Sequence, residues 1–164
     1  MKIESLQQLF VDEIQDLYDA ENRILKALPK MAEQASSPEL KNAFQMHERQ
    51  TQQHVRRLDQ IFDQLRDLDR KAKTCKGMQG ILDEGEKLMK DAKDPDVRDA
   101  GMIASAQRVE HYEIAAYGTV RTYATLLGKR EWAQLLQETL DEEKQTDQKL
   151  TELSEDINVE ARAA

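Results

Sequence analysis

The sequence predicts an all-α fold: an antiparallel four-helix bundle with one long crossover containing a short extra helix. Three observations carry this. Apolar residues recur at spacings of three and four along most of the chain. Charged residues make up 34% and aromatics 5%, with six glycines and three prolines, a balance that suits helices better than sheets. Turn signals are short at two places, and the two helix pairs they define are separated by about 28 residues.

The first helix is expected over about 3–35, where Leu6, Phe10, Ile14, Leu17, Ile24, Leu28 and Met31 form a stripe. Pro29 falls inside it and should kink the helix or end it early. Ser36-Ser37-Pro38-Glu39 reads as the turn, with Ser37 as N-cap and Pro38 at the first helical position. The second helix is expected over about 38–66, striped by Leu40, Phe44, Val55, Leu58, Phe62 and Leu65. DLDRKAKTCKGMQG then has no stripe and two glycines, so it reads as a connection. A short helix follows at about 78–92, carrying Met78, Ile81, Leu82, Leu88 and Met89. Lys93-Asp94-Pro95 ends it, with Asp94 capping a third long helix over about 95–127. Its apolar positions are Ile103, Ala106, Tyr117, Val120, Ala124 and Leu127, and Gly128 reads as its C-terminal cap. The fourth spans about 130–157 through Trp132, Leu136, Leu140, Leu150, Leu153 and Ile157, with a frayed tail beyond.

The 164 residues read as a single domain, residues 1–164. A net charge of −8 repels nucleic acid and anionic membranes, so neither is expected as a partner. The lone cysteine, Cys75, excludes an internal disulfide and suits a reducing compartment. MKIESLQQLF lacks an apolar core and a cleavage site, and no apolar run approaches the roughly 20 residues of a membrane span. A cytoplasmic location is the expectation.

Each apolar stripe has a gap, and each gap holds a glutamate. The first helix runs Leu17, Glu21, Ile24; the second Phe44, Glu48, Thr51, Val55. The third runs Ala106, Glu110, Glu113, Tyr117; the fourth Leu140, Glu143, Asp147, Leu150. Every step is three or four, so the acids share a face with the core residues. Each lies near the middle of its helix, which at about 1.5 Å per residue brings them to one level in an antiparallel bundle. No lysine or arginine lies on the stripes at that level. Converging carboxylates repel, and a pair of divalent or trivalent cations relieves this better than protons do. Glu21, Glu48, Glu110, Glu113 and Glu143 are therefore the candidate ligands of two metal ions. Residues 48–58, ERQTQQHVRRL, also align with 143–153, EKQTDQKLTEL, so the second and fourth helices read as copies of one element.

Four stretches carry a resemblance to a known family: LFVDEIQDLYDAENRILKALPKMAEQA, TCKGMQGILDEGEKLM, DPDVRDAGMIASAQRVEHYEIAAYGT and LLQETLDEEKQTDQKLTEL. The chain resembles the YciE/YciF-type ferritin-like stress proteins over nearly its full length. The resemblance implies a rubrerythrin-related ferritin-like bundle, often dimeric, with a di-iron centre and a link to bacterial stress. The wider ferritin-like group places a glutamate on the first helix, Glu-x-x-His on the second and fourth, and one or two glutamates on the third. Glu21, Glu48, Glu110, Glu113 and Glu143 match its carboxylates, but Thr51 and Thr146 stand where its histidines would be. An all-oxygen site tolerates Mn²⁺, Mg²⁺ or Ca²⁺ as well as iron. Asp147, His54 and His47 are lesser candidates to replace the missing nitrogens, His111 also lies near this level, and Tyr117 is a candidate donor to a ligand.

The function expected is a metal-binding stress protein that oxidises Fe²⁺ or consumes peroxide. No Cys₂…Cys₂ module is present, so electrons would come from a separate donor. The rival reading is a structural or interaction bundle with a vestigial metal site; an iron store, the third, would need a shell of many subunits. A homodimer is expected from the resemblance and from Met78 and Met89, read as exposed apolar residues of the connector.

Overall fold

The computed structural model describes residues 3–65 and 68–164. It contains α1 (Leu6–Gln34), α2 (Pro38–Gln64), α3 (Lys76–Asp91), α4 (Pro95–Leu126) and α5 (Arg130–Ala163). Residue 66, the expected end of the second helix, lies outside the described residues. α1 packs beside α2 and α4, and α5 beside α4 and α2. α3 lies across α1 and α4 and is the crossover helix. No helix among the described residues is long and apolar enough to cross a membrane.

Local chemistry sets the boundaries. Ser37 Oγ accepts from Leu40 N–H with Pro38 behind it, and Asp94 accepts from Asp96 and Val97 N–H with Pro95 behind it. Gly128 takes φ 71°, the left-handed conformation that lets α4 stop and α5 begin. Cys75 Sγ accepts from Met78 N–H, so α3 begins two residues before the expected start.

α1 ends at Gln34, close to the expected 35, and two helices run on where a stop was expected. α1 continues through Pro29 to Gln34, because packing of Leu28, Met31 and Ala32 outweighs the hydrogen bond that proline cannot donate. α5 runs to Ala163 rather than fraying after Ile157, which is itself buried.

The core is two apolar clusters. One holds Phe10, Ile14, Leu17, Leu58, Phe62, Tyr117, Trp132 and Leu136, with the Phe10 and Trp132 rings stacked 5.4 Å apart. The other holds Ile24, Leu28, Leu40, Phe44, Met102, Ile103 and Leu150. Met78 and Cys75 enter this second cluster fully buried, and Met89 packs against it half-buried. Met78 is therefore spent inside the chain and does not support an interface between copies. α3 lies close on α4: a Cβ added at Gly101 would come within 2.2 Å of Leu88 Cδ2.

A buried carboxylate ties the helix pairs together. Asp99 of α4 accepts from Ser36 N–H at 3.0 Å and Ser37 N–H at 2.7 Å, satisfying the backbone of the α1–α2 turn.

A candidate metal centre

Between the two apolar clusters lies a polar layer. Glu21 of α1, His47, Thr51 and His54 of α2, Glu110 and Glu113 of α4, and Glu143 of α5 are each 0–3% exposed. The inward-facing positions of the four long helices carry these groups into the core along with the aliphatic residues.

The layer is far from satisfied by the protein. Eight of its buried side-chain atoms have no hydrogen-bond partner among the described residues: Glu21 Oε2, His47 Nε2, His54 Nδ1, Glu110 Oε2, and both oxygens of Glu113 and Glu143. Such groups are rare in folded proteins, and each costs about 1–3 kcal/mol or more if left bare. They fall into two groups whose ligand atoms converge within 4.8 Å: His47, Glu110, Glu113 and Glu143; and Glu21, His54 and Glu143. Glu143 belongs to both.

Each histidine is held by its outer nitrogen. His54 Nε2 lies 2.8 Å from Glu142 Oε2, while Nδ1 lies 3.0 Å from Glu143 and 3.3 Å from Glu21 without hydrogen-bond alignment. Thr146 donates to the Glu142 carbonyl, so its oxygen accepts from His47 Nδ1–H at 3.3 Å. His47 Nε2 then faces Glu110 Oε1 at 3.2 Å and Glu143 at 3.8 Å. When an ion takes the place of the inner proton, these partners keep the remaining proton on the outer nitrogen of each ring, the arrangement typical of ligating histidines. Thr51 turns its hydroxyl back to the His47 carbonyl at 2.9 Å. Tyr117 donates to Glu21 Oε1.

The electrostatics follow from burial. Desolvation, with smaller effects from neighbouring charges, pushes the Glu110 and Glu143 carboxyls up to about 8. Glu113 goes well above the usual range through burial and repulsion from Glu143, Glu21 and Glu110. Burial lowers His47. Burial also pulls on His54, but the Glu21 charge, the Glu142 hydrogen bond and the nearby Glu143 carboxylate outweigh it and push the ring up to about 12. Without an ion, His54 is the cation of the layer and several carboxyls keep their protons at neutral pH.

The structure separates the candidates. Glu21, Glu110, Glu113 and Glu143 converge, joined by His47 and His54. Glu48 is half-buried and belongs to neither group. The inward face of α2 is Phe44, His47, Thr51, His54, Leu58; Glu48 is one residue past His47, rotated by about 100° around the helix. Asp147 is half-buried and bonds instead to His111, which is exposed, and Gln107. The layer thus carries two imidazoles and is not all-oxygen. The apparent repeat is out of register with burial: Leu40/Leu136, Phe44/Leu140, His47/Glu143 and Ile61/Ile157 are buried at equivalent spacing, which pairs Glu143 with His47. Glu142 and Arg57 were not anticipated, since an acid beside a buried acid reads as solvated surface.

The comparisons with known proteins agree with the fold. Residues 5–163 match the family model described as Domain of unknown function (DUF892). Protein YciF of Escherichia coli (strain K12) is 41% identical over 154 residues, 94% of this chain and 93% of the relative. The crystal structure of the E. coli stress protein YciF superposes with a TM-score of 0.90 at 40% identity, covering 94% of this chain and 98% of that one. YcfI from Rhodopseudomonas palustris gives 0.87 at 37% identity, covering 92% and 95%.

Proposed function

The chain belongs to the DUF892 family, and from that premise we propose that it is a stress protein whose buried histidine–glutamate layer holds two iron ions. His47, Glu110, Glu113 and Glu143 would hold one ion, and Glu21, His54 and Glu143 the other. The observation that carries this is the convergence of eight unpartnered buried atoms, which two cations would satisfy together. Imidazole with carboxylate suits iron, manganese or zinc better than calcium or magnesium. An iron pair, when bound, supplies electrons for reducing dioxygen or a peroxide.

The chain's own residues do the rest. Glu143 spans the two groups, and Glu113 has no protein partner at either oxygen. Glu142 and Thr146 orient the imidazoles, and Tyr117 steadies Glu21. The apolar clusters flank the layer on two sides. Cys75 is the only cysteine, so reducing electrons would arrive from a separate donor. A homodimer in the cytoplasm is part of the same proposal, with its support in the family.

The second reading is a structural bundle stapled by its metal, and the near-complete burial of the layer favours it. Protein purified without chelator or His-tag and loaded anaerobically with Fe²⁺ separates the two. About two ions per chain with consumption of dioxygen or peroxide supports the redox reading. Two ions and a raised melting temperature without turnover supports the staple. No bound metal overturns both.

A further inference from the structure

Two cavities adjoin beneath α1. The narrower one, about 90 Å³, is walled by Leu28, Phe44 and Leu150, reaches His47 and Glu110, and opens to solvent past Met46, Gln145 and Lys149. The wider one, about 330 Å³, lies between α1, α3 and α4 over Met89 and Met102. Ala27, Met31, Leu82, Ala106 and Val109 line both, so the two share one apolar wall.

The rim of the wider one carries Arg23, Lys26 and Lys30 against Asp19, Asp83 and Glu86. Asp19 is engaged by Arg23 and by Cys75 N–H, and Glu86 by Lys90. Lys26 and Lys30 are exposed; the Lys30 charge acts on Glu86, and among the described residues no hydrogen-bonded ion pair joins either lysine to a rim acid. Ser105, 6% exposed, lines the same cavity with a hydroxyl that has no partner.

We propose that the two cavities form one binding site for a straight-chain alkyl carboxylate. Its head group sits on Lys26 and Lys30, and its chain runs past Ala27 and Ala106 toward His47 and Glu110. The apolar lining rewards each methylene that leaves water. At about 90 Å³ the narrower cavity has room for the end of an alkyl chain. The site goes beyond the metal reading and does not depend on it.

The test is calorimetric titration of hexanoate, octanoate and decanoate, below micellar concentrations, into the full chain stripped of metal by chelation. Saturable binding of one ligand per chain is expected, tightening roughly fourfold per added methylene. Ala27→Phe, which fills the shared wall from a half-buried position, should abolish binding with the helical circular dichroism unchanged. Lys26→Glu/Lys30→Glu, on the exposed rim, should weaken decanoate roughly tenfold and leave 1-decanol unchanged. Non-saturable uptake, indifference to chain length, or full binding by Ala27→Phe overturns the proposal. Equal effects of the lysine changes on acid and alcohol overturn the carboxylate assignment. Metal content is measured on separate samples, so either reading can fail alone.

Discussion

His54 Nε2 lies 2.8 Å from Glu142 Oε2, and this contact decides which nitrogen of the ring faces the layer. Glu142 is gripped by both terminal nitrogens of Arg57, at 2.7 and 2.8 Å. The Arg57 hydrogen bond, helped by His54, holds the carboxyl down at about 2, so it stays an acceptor throughout the neutral range. Glu142→Ala leaves His54 free to turn, and metal affinity should fall roughly 10–100-fold with the helices intact. Competition with a chromophoric chelator measures it. Unchanged affinity would remove Glu142 from the account.

Glu143 is common to both candidate groups, whereas Glu48 belongs to neither. Glu143→Ala should therefore lose both ions, and Glu48→Ala should keep the wild-type content. Elemental mass spectrometry on variants prepared side by side reads this directly. Loss of metal in Glu48→Ala would restore the helix register expected from sequence.

The layer makes metal-free protein sensitive to base. Glu110 and Glu143, held at about 8 by burial, titrate near 4.3 when unfolded, so the native state binds more protons between those values. Stability then falls as pH rises from about 5 to about 8. His54, held at about 12 against about 6.5 unfolded, extends the decline upward; His47, lowered by burial, opposes it below about 6.5. Metal binding displaces these protons, so affinity rises over the same window. Thermal melts with and without Fe²⁺ should diverge as pH increases, and parallel curves would count against ligation by these acids.

Asp99 should matter far from the layer. Its carboxylate accepts from Ser36 and Ser37 N–H while 2% exposed. Asp99→Ala leaves those donors facing a gap and should cost about 3 kcal/mol in urea unfolding. Metal content after loading should not change.

Much of the fold is legible because its signals are local. Ser37-Pro38, Asp94-Pro95 and Gly128 act through their own backbone geometry, and each sits at the boundary it predicts. Pro29 misleads for the complementary reason. One missing hydrogen bond is a local penalty, and the buried contacts of Leu28, Met31 and Ala32 come from elsewhere in the bundle.

The site divides along the same line. The sequence by itself determined four long helices with acids at mid-stripe, and Glu21, Glu110, Glu113 and Glu143 are buried where that pattern puts them. On α2 it left a tie: Phe44, Glu48, Thr51 and Phe44, His47, Thr51 both advance by three and four. Only the tertiary structure decided it. With Leu40, Leu58 and Ile61 buried against the neighbouring helices, the rotation of α2 leaves His47 and His54 inward and Glu48 half-buried. A helix's rotation about its axis is set by everything it packs against, and one residue's error is a turn of about 100°.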